Sequence, residues 1–286
     1  MTRGEGRMLD HNTIVRHAYQ LQPLPPSCSR LASLAVQEVP DLQEITEVIS
    51  FDPVLTARLL RVANSAHSAS YRAIGTVKDA VIRLGPGTVL GLTVGSAARK
   101  VLDAAIPGYA LSPGELWRHS VASALAADLS RSFCAAAWSP LCFTAALLHD
   151  IGKLVLGRFL TPDVVALCQR AAEEGELYPF QAESEVLSLH HGEVGRVIAQ
   201  HWNLPLGLEI GVAHHHTPQE GQDAICFVTY LANAVARHIE GKPASTDREF
   251  KALGAVLQRL ELTPVSFEKL CETTAWRLSE VSERFG

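Results

Sequence analysis

The sequence predicts an all-α protein, and two observations carry this prediction. Apolar residues recur at three- and four-residue spacing along most of the 286 residues, which is the pattern of helices that bury one face. Strict alternation of apolar and polar residues, which marks half-buried strands, is essentially absent. Because 47% of the residues are hydrophobic and 19% are charged, the chain can bury a sizeable core.

The N-terminal third is predicted to be a series of helices with clear start and stop signals. Asp52 and Pro53 indicate a helix start, with the aspartate as N-cap and the proline in the first helical position. The run Gly85-Pro86-Gly87 indicates a break between two helices. The helices predicted here span residues 41–50, 53–66, 76–84 and a stretch that follows the break to about Leu102.

A segment from Pro107 to Pro113 reads as a linker, and Ser112 or Pro113 opens the next helix, which carries His119. The further predicted helices span residues 139–157, 162–174, 179–189, 191–202, 206–216, 222–240 and 264–285. We therefore predict an N-terminal helical lobe over residues 1–105, a second helical domain over 106–240 and a helical C-terminal extension over 241–286.

The composition excludes several classes of function. A net charge of −5 without a long Lys/Arg cluster argues against nucleic-acid binding. The longest apolar stretches are too short or too interrupted to span a bilayer, so we expect a cytoplasmic protein without a membrane partner. Six cysteines without a CxxC pair favour free buried thiols in a reducing compartment over disulfides or a zinc ribbon.

Histidines give the chain its most informative pattern. Eight of the twelve lie between positions 119 and 216, and one of them is followed by an acid in the pair His149-Asp150. Burying these groups in an apolar run is costly unless something pairs with them, and a divalent metal is the obvious candidate. Asp150 can offer one oxygen to each of two ions, and Lys153, one turn on, can hold an anion or pair with Asp150.

Each of these residues also has an ordinary structural interpretation. His149-Asp150 can be a polar pair tied to neighbouring side chains, His119 can serve packing, and His191 can simply start a helix. His214, His215 and His216 cannot all be ligands, so at least one of them is expected to face solvent. His191 is favoured as a ligand over His190, and structural roles are expected for His11, His17, His67, His201 and His238.

The order of these motifs resembles the HD superfamily of metal-dependent phosphohydrolases and, more narrowly, the HDOD (HD-related output domain) family, over roughly residues 20–240. The motifs that carry the resemblance are Leu24-Pro-Pro26, the runs 52–66 and 74–85, His119, His149-Asp150 with Lys153, His191-Gly-Glu-Val-Gly195, Trp202-Asn-Leu-Pro205 and His215-His-Thr-Pro218.

The resemblance implies an HD-type helical bundle with an additional N-terminal helical lobe. It also implies a bacterial signalling protein, often the output module of a response regulator. Many HDOD proteins are thought to have lost the metal site and phosphodiesterase activity of their HD-GYP relatives. This chain retains most ligands, but Asn233 stands where the superfamily has its last acidic ligand, and the GYP signature does not follow His216.

Carried over residue by residue, the resemblance implies two metal sites that share Asp150. The first site would comprise His119, His149, Asp150 and Asn233; the second would comprise Asp150, His191 and His215 or His216. The implied cofactor is one or two divalent ions of Fe, Mn, Zn or Mg. Since an amide is a weaker, neutral ligand, Asn233 weakens the first site.

Three hypotheses of function follow. The first is a non-catalytic signalling module that binds a protein partner, such as a receiver or sensor domain, or a small ligand. The second is a metal-dependent phosphohydrolase acting on nucleotides or cyclic dinucleotides, with Arg118 and Lys153 as phosphate contacts. The third is a metal or redox sensor with a structural iron or manganese site. Asn233 and the missing GYP signature favour the first, and the retained histidines favour the second.

Overall fold

A computed structural model describes residues 11–64, 74–134, 139–244 and 246–285, with residues 247 and 282–285 described by their backbone alone. Over these ranges the regular elements are α-helices and one short 3-10 turn, and the only β pairing is an isolated bridge between Ile106 and Leu111. The all-α prediction is confirmed. His67 and the end of the predicted helix 53–66 lie outside the described residues.

The N-terminal lobe begins with two helices that the sequence pattern did not predict. Its helices are α1 (His11–Ala18), α2 (Pro26–Ala35), α3 (Leu42–Ser50), α4 (Pro53–Ala63) and α5 (Val77–Leu102). The predicted start of α4 is confirmed, because the Asp52 side chain accepts hydrogen bonds from the backbone N–H groups of Val54 and Leu55. Helices α2, α3 and α4 all pack on α5.

Helix α5 is broken at Gly85, whose φ of 77° and ψ of 156° lie outside the helical region. This confirms the predicted break, since Gly adopts such a conformation readily. Among the described helices only α5 is long and apolar enough to cross a membrane, and half of its most apolar window is buried inside the protein. The buried half of this window forms part of the protein's core.

The second lobe and the extension contain the remaining helices. They are α6 (Glu115–Ser130), α7 (Cys142–Leu148), α8 (Lys153–Leu156), α9 (Pro162–Glu174), α10 (Pro179–Leu187), α11 (His191–His201), α12 (Leu206–Ala213), α13 (Pro218–Gly221), α14 (Ala224–Ile239), α15 (Asp247–Arg259) and α16 (Pro264–Phe285), and a 3-10 turn at Pro107–Tyr109 precedes α6. Helix α15 was not predicted.

Two predicted helices end earlier than the apolar pattern indicated. The single helix predicted over 139–157 is wrong: α7 ends at Leu148, residues 149–152 form a turn, and α8 follows. The helix predicted over 206–216 ends at Ala213. In both places the chain leaves the helix where a histidine turns into the interior.

The two lobes share one hydrophobic core. Helix α1 packs on α8 and α11, and α5 packs on α7. A single buried cluster extends from Ile14 in α1 to Cys271 in α16. The Ser29 hydroxyl also donates to the Trp202 carbonyl at 3.0 Å. The division into lobes at residue 105 stays a prediction, since the packing is continuous across it.

A close approach of α5 and α7 joins the lobes. Three glycines at four-residue spacing on α5 face this contact, and a Cβ atom on any of them would press on the segment of α7. The pairs are Gly87 with Pro140, Gly91 with Phe143 and Gly95 with Leu147. This spacing places the three glycines on one face of α5. The backbone of α5 therefore lies directly against Pro140, Phe143 and Leu147.

Candidate metal centre

Six side chains from four parts of the chain meet in the interior of the second lobe. They are His119 on α6, His149 and Asp150 in the turn after α7, His191 at the start of α11, and His215 and His216 after α12. Three of the histidines and Asp150 are at most 3% exposed, while His119 and His216 are half-buried. Apart from Asn233, these are the residues that the family resemblance implied for two metal sites.

The turn after α7 brings His149 and Asp150 to the centre. A Cβ atom at Gly152 would collide with the carbonyl oxygen of His191, so only glycine allows the turn to lie directly on the start of α11. The backbone contact places the aspartate beside a histidine that is 41 positions away along the chain. His149 and Asp150 therefore act from a tight turn rather than from a continuous helix.

The first cluster comprises His119, His149 and one carboxylate oxygen of Asp150. The two Nε2 atoms lie 3.2 Å apart. Asp150 Oδ2 is 3.7 Å from Nε2 of His119 and 3.4 Å from Nε2 of His149. One ligand atom of each residue therefore points into a common space that could hold a metal ion.

The second cluster comprises His191, His215 and His216. Nε2 of His191 lies 3.3 Å from Nε2 of His215 and 2.9 Å from Nε2 of His216. Asp150 Oδ1 is 3.3 Å from Nε2 of His191 and 3.7 Å from Nε2 of His215. Asp150 thus turns one oxygen to each cluster. The sequence left a choice between His215 and His216 as the ligand, and both lie in the second cluster. His214 is partly exposed at 28% of its side chain.

Backbone carbonyl groups orient two of the imidazoles. Nδ1 of His149 lies 2.7 Å from the Ala146 oxygen, and Nδ1 of His215 lies 2.7 Å from the Val212 oxygen. A carbonyl oxygen only accepts, so each Nδ1 must carry the proton. The Nε2 lone pair of each neutral ring is then directed to the centre, as outer hydrogen bonds arrange it in metal sites.

Two glutamates do the same for His119 and His191, and the sequence analysis missed both glutamates. Glu240, which follows α14, has both oxygens 3.1 Å from Nδ1 of His119. Glu183 on α10 lies 2.7 Å from Nδ1 of His191 and also accepts from its backbone N–H at 2.9 Å. The Tyr109 hydroxyl donates to the other Glu183 oxygen at 3.0 Å. A charged residue at a core position of α10, four residues before buried Leu187, was the available signal.

The donor set fits a cation. With Nδ1 protonated on His119, His149, His191 and His215, the unprotonated Nε2 atoms of His119 and His149 face each other, and so do those of His191 and His215. Lone pairs at such separations repel unless a positive charge lies between them. Two imidazole ligands on one tetrahedral Zn²⁺ ion lie about 3.3 Å apart, close to the 3.2 and 3.3 Å seen here. Asp150 Oδ1 is buried without a hydrogen-bond partner, which is costly unless a cation meets it.

Without a metal, a proton provides part of that charge. Burial alone would lower the pKa of His191, but Glu183 and Asp150 outweigh it and raise this pKa to about 9. Burial, with the charges of neighbouring histidines, holds the pKa of His215 well below its usual value. Burial would raise the pKa of Asp150, yet His149 and Lys153 hold it well below the ordinary range. The metal-free centre therefore has a carboxylate beside one imidazolium.

Three further residues were predicted to take part in the site. The Lys153 ammonium lies 2.6 Å from Asp150 Oδ2, which is one of the two roles that the sequence left open; the phosphate contact stays a prediction. Asn233 is buried on α14 at 9% exposure. It lies seven residues, or about two turns, before Glu240 at the end of this helix, so both residues are on the same face of α14. Arg118 is exposed beside His119.

The remaining histidines with described contacts have structural roles. His190 is the N-cap of α11 and accepts from the Gly192 N–H at 3.0 Å. His201 Nε2 lies 3.1 Å from the Leu21 carbonyl oxygen. His17 meets Phe159 edge to face, and His238 meets Phe267 in the same way.

Comparison with known proteins decides the family. The sequence model of the HDOD domain family matches residues 21–218. This range contains every site residue discussed above except Asn233 and Glu240. The chain belongs to the HDOD family. The family predicted from the motifs is thereby confirmed.

Solved structures share the fold of this HDOD protein. An HDOD domain protein of Geobacter sulfurreducens has a TM-score of 0.68 at 22% identity, over 95% of this chain and 97% of its own. A provisionally named signal transduction protein of Marinobacter aquaeolei VT8 has a TM-score of 0.67 at 20% identity, over 96% and 66%. A provisionally named phosphohydrolase of Shewanella amazonensis SB2B has a TM-score of 0.62 at 24% identity, over 94% and 93%. At these identities the likeness shows the fold alone.

A curated relative of this HDOD protein is an uncharacterized protein of Treponema pallidum (strain Nichols). It is 25% identical over 233 residues, which cover 79% of this chain and 44% of the relative. The HDOD chain therefore spans less than half of the length of that relative.

Proposed function

We propose that this HDOD protein is a regulatory output module of bacterial signal transduction that binds a protein partner or a small ligand without turning it over. The observation that carries the proposal is Asn233. By the family resemblance, the amide of Asn233 stands where the superfamily has its last acidic ligand. Among the residues that the structure describes, Asp150 is then the only anionic ligand of the two clusters.

A single carboxylate is too little for two catalytic ions. The first cluster has two imidazoles and one oxygen of Asp150, and the fourth ligand that the family resemblance implies is the neutral amide of Asn233. Two-metal hydrolysis needs both ions held firmly, one for the nucleophile and one for the leaving oxygen. A centre with one weak site supports ligand recognition or folding better than turnover.

The second cluster supports a retained metal ion. It offers His191, His215, His216 and the unpartnered oxygen of Asp150, and Glu183 orients the first of these rings. A donor set rich in imidazole suits Zn or Fe better than Mg, which prefers oxygen ligands. Mn is intermediate between Zn or Fe and Mg in its preference for nitrogen over oxygen ligands. We infer that the retained ion stabilises the second lobe and the surface that the lobe presents.

The partner is proposed to be another signalling protein, such as a receiver or sensor domain, in the cytoplasm. Support comes from the family and from the structural neighbour in Marinobacter aquaeolei, whose name refers to signal transduction. The net charge of −5 disfavours a nucleic-acid partner. A small ligand bound to the second lobe is the alternative to a protein partner.

The test is a panel of phosphodiesterase and nucleotidase substrates with added Mn²⁺ or Fe²⁺. We expect no turnover by the natural chain. Activity that appears only in Asn233→Asp would support the proposal, since it would locate the defect at the missing carboxylate. Metal-dependent turnover by the natural chain, abolished in His149→Ala, would contradict the non-catalytic proposal.

That contradictory result would favour a second candidate function, a metal-dependent phosphohydrolase. One observation supports it: five histidines still converge on Asp150 from four parts of the chain. A bound divalent ion would polarise a phosphoryl group and make water nucleophilic. Lys153 and Arg118 would then orient the phosphate, and Glu183 and Glu240 would keep the imidazoles in the ligand tautomer. The substrate panel separates the two functions.

A further inference from the structure

The segment between the two lobes, which the sequence predicts to be a linker, forms a compact loop. The backbone groups of Ile106 and Leu111 exchange two hydrogen bonds, at 2.9 and 3.2 Å. Between them, the 3-10 turn Pro107–Tyr109 is followed by Ala110 in the left-handed conformation, with a φ of 53°. The Tyr109 side chain is therefore carried by a closed loop rather than by an extended connection.

Two glycines allow this loop to lie directly on the end of α8. A Cβ atom at Gly108 would collide with the carbonyl oxygen of Gly157, and a Cβ atom at Gly157 would collide with the Ile106 side chain. Gly157 is the residue that ends α8, and α8 begins three residues after Asp150. Because glycine permits such close backbone contact, the position of the loop is fixed relative to the turn that carries Asp150.

Tyr109 extends from this loop to the second cluster. Its hydroxyl donates to Oε1 of Glu183 at 3.0 Å. Its ring meets the His191 ring edge to face, with 6.1 Å between the ring centres. A phenol keeps its proton at neutral pH, so the hydroxyl is a constant donor to the carboxylate.

The two oxygens of Glu183 have different partners. Oε2 accepts from Nδ1 and from the backbone N–H of His191, at 2.7 and 2.9 Å. Within the described part of the chain, Tyr109 is the donor to Oε1. Since the Glu183 side chain is only 7% exposed, little water is available to replace the hydroxyl. A buried carboxylate oxygen without a donor is costly, and a carboxylate that turned to another donor would move Oε2 away from Nδ1.

We propose that Tyr109 is a positioning residue of the second cluster: its hydroxyl holds Glu183 in the orientation that directs the His191 ring to the metal ion. Outer hydrogen bonds orient metal ligands in this way. The inference rests on the proposed retention of a metal at this cluster. It gives the segment between the lobes a role in the metal centre.

The first measurement is the Zn²⁺ affinity of the natural chain and of Tyr109→Phe, by competition with a chelator of known affinity. Phenylalanine keeps the ring beside His191 and removes only the hydroxyl. Tyr19→Phe is the matched control, because Tyr19 is half exposed and also meets a histidine edge to face, His201. We expect the affinity to fall about tenfold in Tyr109→Phe, the lower end of the range for outer hydrogen-bond partners, and to stay unchanged in the control.

A second pair of variants tests whether the hydroxyl acts through the carboxylate. Glu183→Ala removes the acceptor of Tyr109 and the partner of His191 together. In this background Tyr109→Phe should change the Zn²⁺ affinity by less than about twofold, because effects within one hydrogen-bonded chain are not additive. A hydroxyl that served only the packing of the loop would cause the same fall in both backgrounds.

A measurement on the metal-free protein makes the test independent of the metal. The Nδ1 proton of His191, held by Glu183, should give an NMR signal that is protected from exchange with water in protein with ¹⁵N-labelled histidine. We expect this signal to be lost in Tyr109→Phe and to persist in Tyr19→Phe. The same signal decides the matter if Glu183→Ala does not fold.

The outcomes separate this inference from the proposed function. Unchanged Zn²⁺ affinity together with an unchanged Nδ1 signal in Tyr109→Phe would overturn the role of Tyr109 and leave the retained metal intact. An equal fall in affinity with and without Glu183 would also overturn it. If the natural chain binds no Zn²⁺, the metal is removed from the proposed function, and loss or persistence of the signal in Tyr109→Phe decides the positioning role.

Discussion

Glu183 accepts two hydrogen bonds from His191, one from its backbone N–H at 2.9 Å and one from Nδ1 at 2.7 Å. The first bond places the start of α11 and the second sets the rotation and tautomer of the ring. A carboxylate in this position also raises the basicity of a metal-bound imidazole. Glu183 thus fixes both the backbone and the ring of His191, although it lies eight residues away in the sequence.

Glu183→Gln should weaken metal binding at the second cluster by about 10- to 100-fold, the usual effect of removing an outer hydrogen-bond partner. The amide keeps the shape but loses the charge that favours a cation. Competition with a chelator of known affinity measures the change. Glu185→Gln is the control, since Glu185 is exposed on the same helix, and an equal effect in both variants would contradict the positioning role.

Metal binding should release about one proton at neutral pH. His191 is protonated in the metal-free protein, where its pKa is raised to about 9, and it must lose that proton to bind a metal. Titration calorimetry in buffers of different ionisation enthalpy measures the release, and heats that do not depend on the buffer would contradict it.

The stability of the metal-free and metal-bound proteins should diverge as pH rises. The pKa of His191 is higher in the folded chain than in the unfolded chain, so its contribution to metal-free stability is complete below about pH 6.5. That contribution is lost as pH rises through about 9. Metal affinity increases over the same range, so the shift in melting temperature caused by the metal should be larger at pH 8 than at pH 6.

Gly152→Ala should disrupt the centre, because the new Cβ atom would collide with the His191 carbonyl oxygen. Overpacking of this kind typically costs about 1–3 kcal/mol, and we expect weaker metal binding as the turn moves away from α11. Gly254→Ala is the control: a Cβ atom there meets nothing within 4 Å. Because Gly254 lies inside α15, alanine should stabilise by about 0.5–1 kcal/mol. Urea unfolding measures both, and equal stability of the two variants would contradict the close approach.

An aromatic stack supports His216 from the surface inwards. The His216 ring lies parallel to Phe180 at 4.7 Å, Phe180 stacks on Tyr178 at 5.7 Å, and the Arg248 guanidinium lies 4.1 Å from the centre of Tyr178. Phe180→Leu should reduce metal affinity at the second cluster several-fold, since stacked pairs are worth about 0.5–1.5 kcal/mol. Phe250→Leu, at an exposed position of α15, is the control. Unchanged affinity in Phe180→Leu would show that His216 needs no support from the stack.

Features that depend on neighbouring residues could be predicted from the sequence. Asp52 caps α4 and Gly85 ends the first part of α5, because a cap or a left-handed glycine acts on the adjacent turn of backbone. Lys153 pairs with Asp150 because side chains three residues apart in a helical turn are neighbours. The order of the HD motifs was sufficient for the family.

Features that depend on distant packing could not be predicted. Helix α1 is eight residues long, too short to be stable alone, and it packs on α8 and α11. The apolar run 139–157 looks like one helix, yet the contact of Gly152 with His191 breaks it into a turn. Glu240 meets His119 across 121 positions, and no local spacing indicates that pair.

The sequence alone determined which residues can bind a metal, because imidazole and carboxylate donors are a matter of residue type and motif order. Only the tertiary structure decided how they are used. The two oxygens of Asp150 are chemically equivalent in the chain and become different when folding places Lys153 on one and His191 beside the other. A charge acts through space, so its partner is set by how helices pack rather than by where residues stand in the sequence.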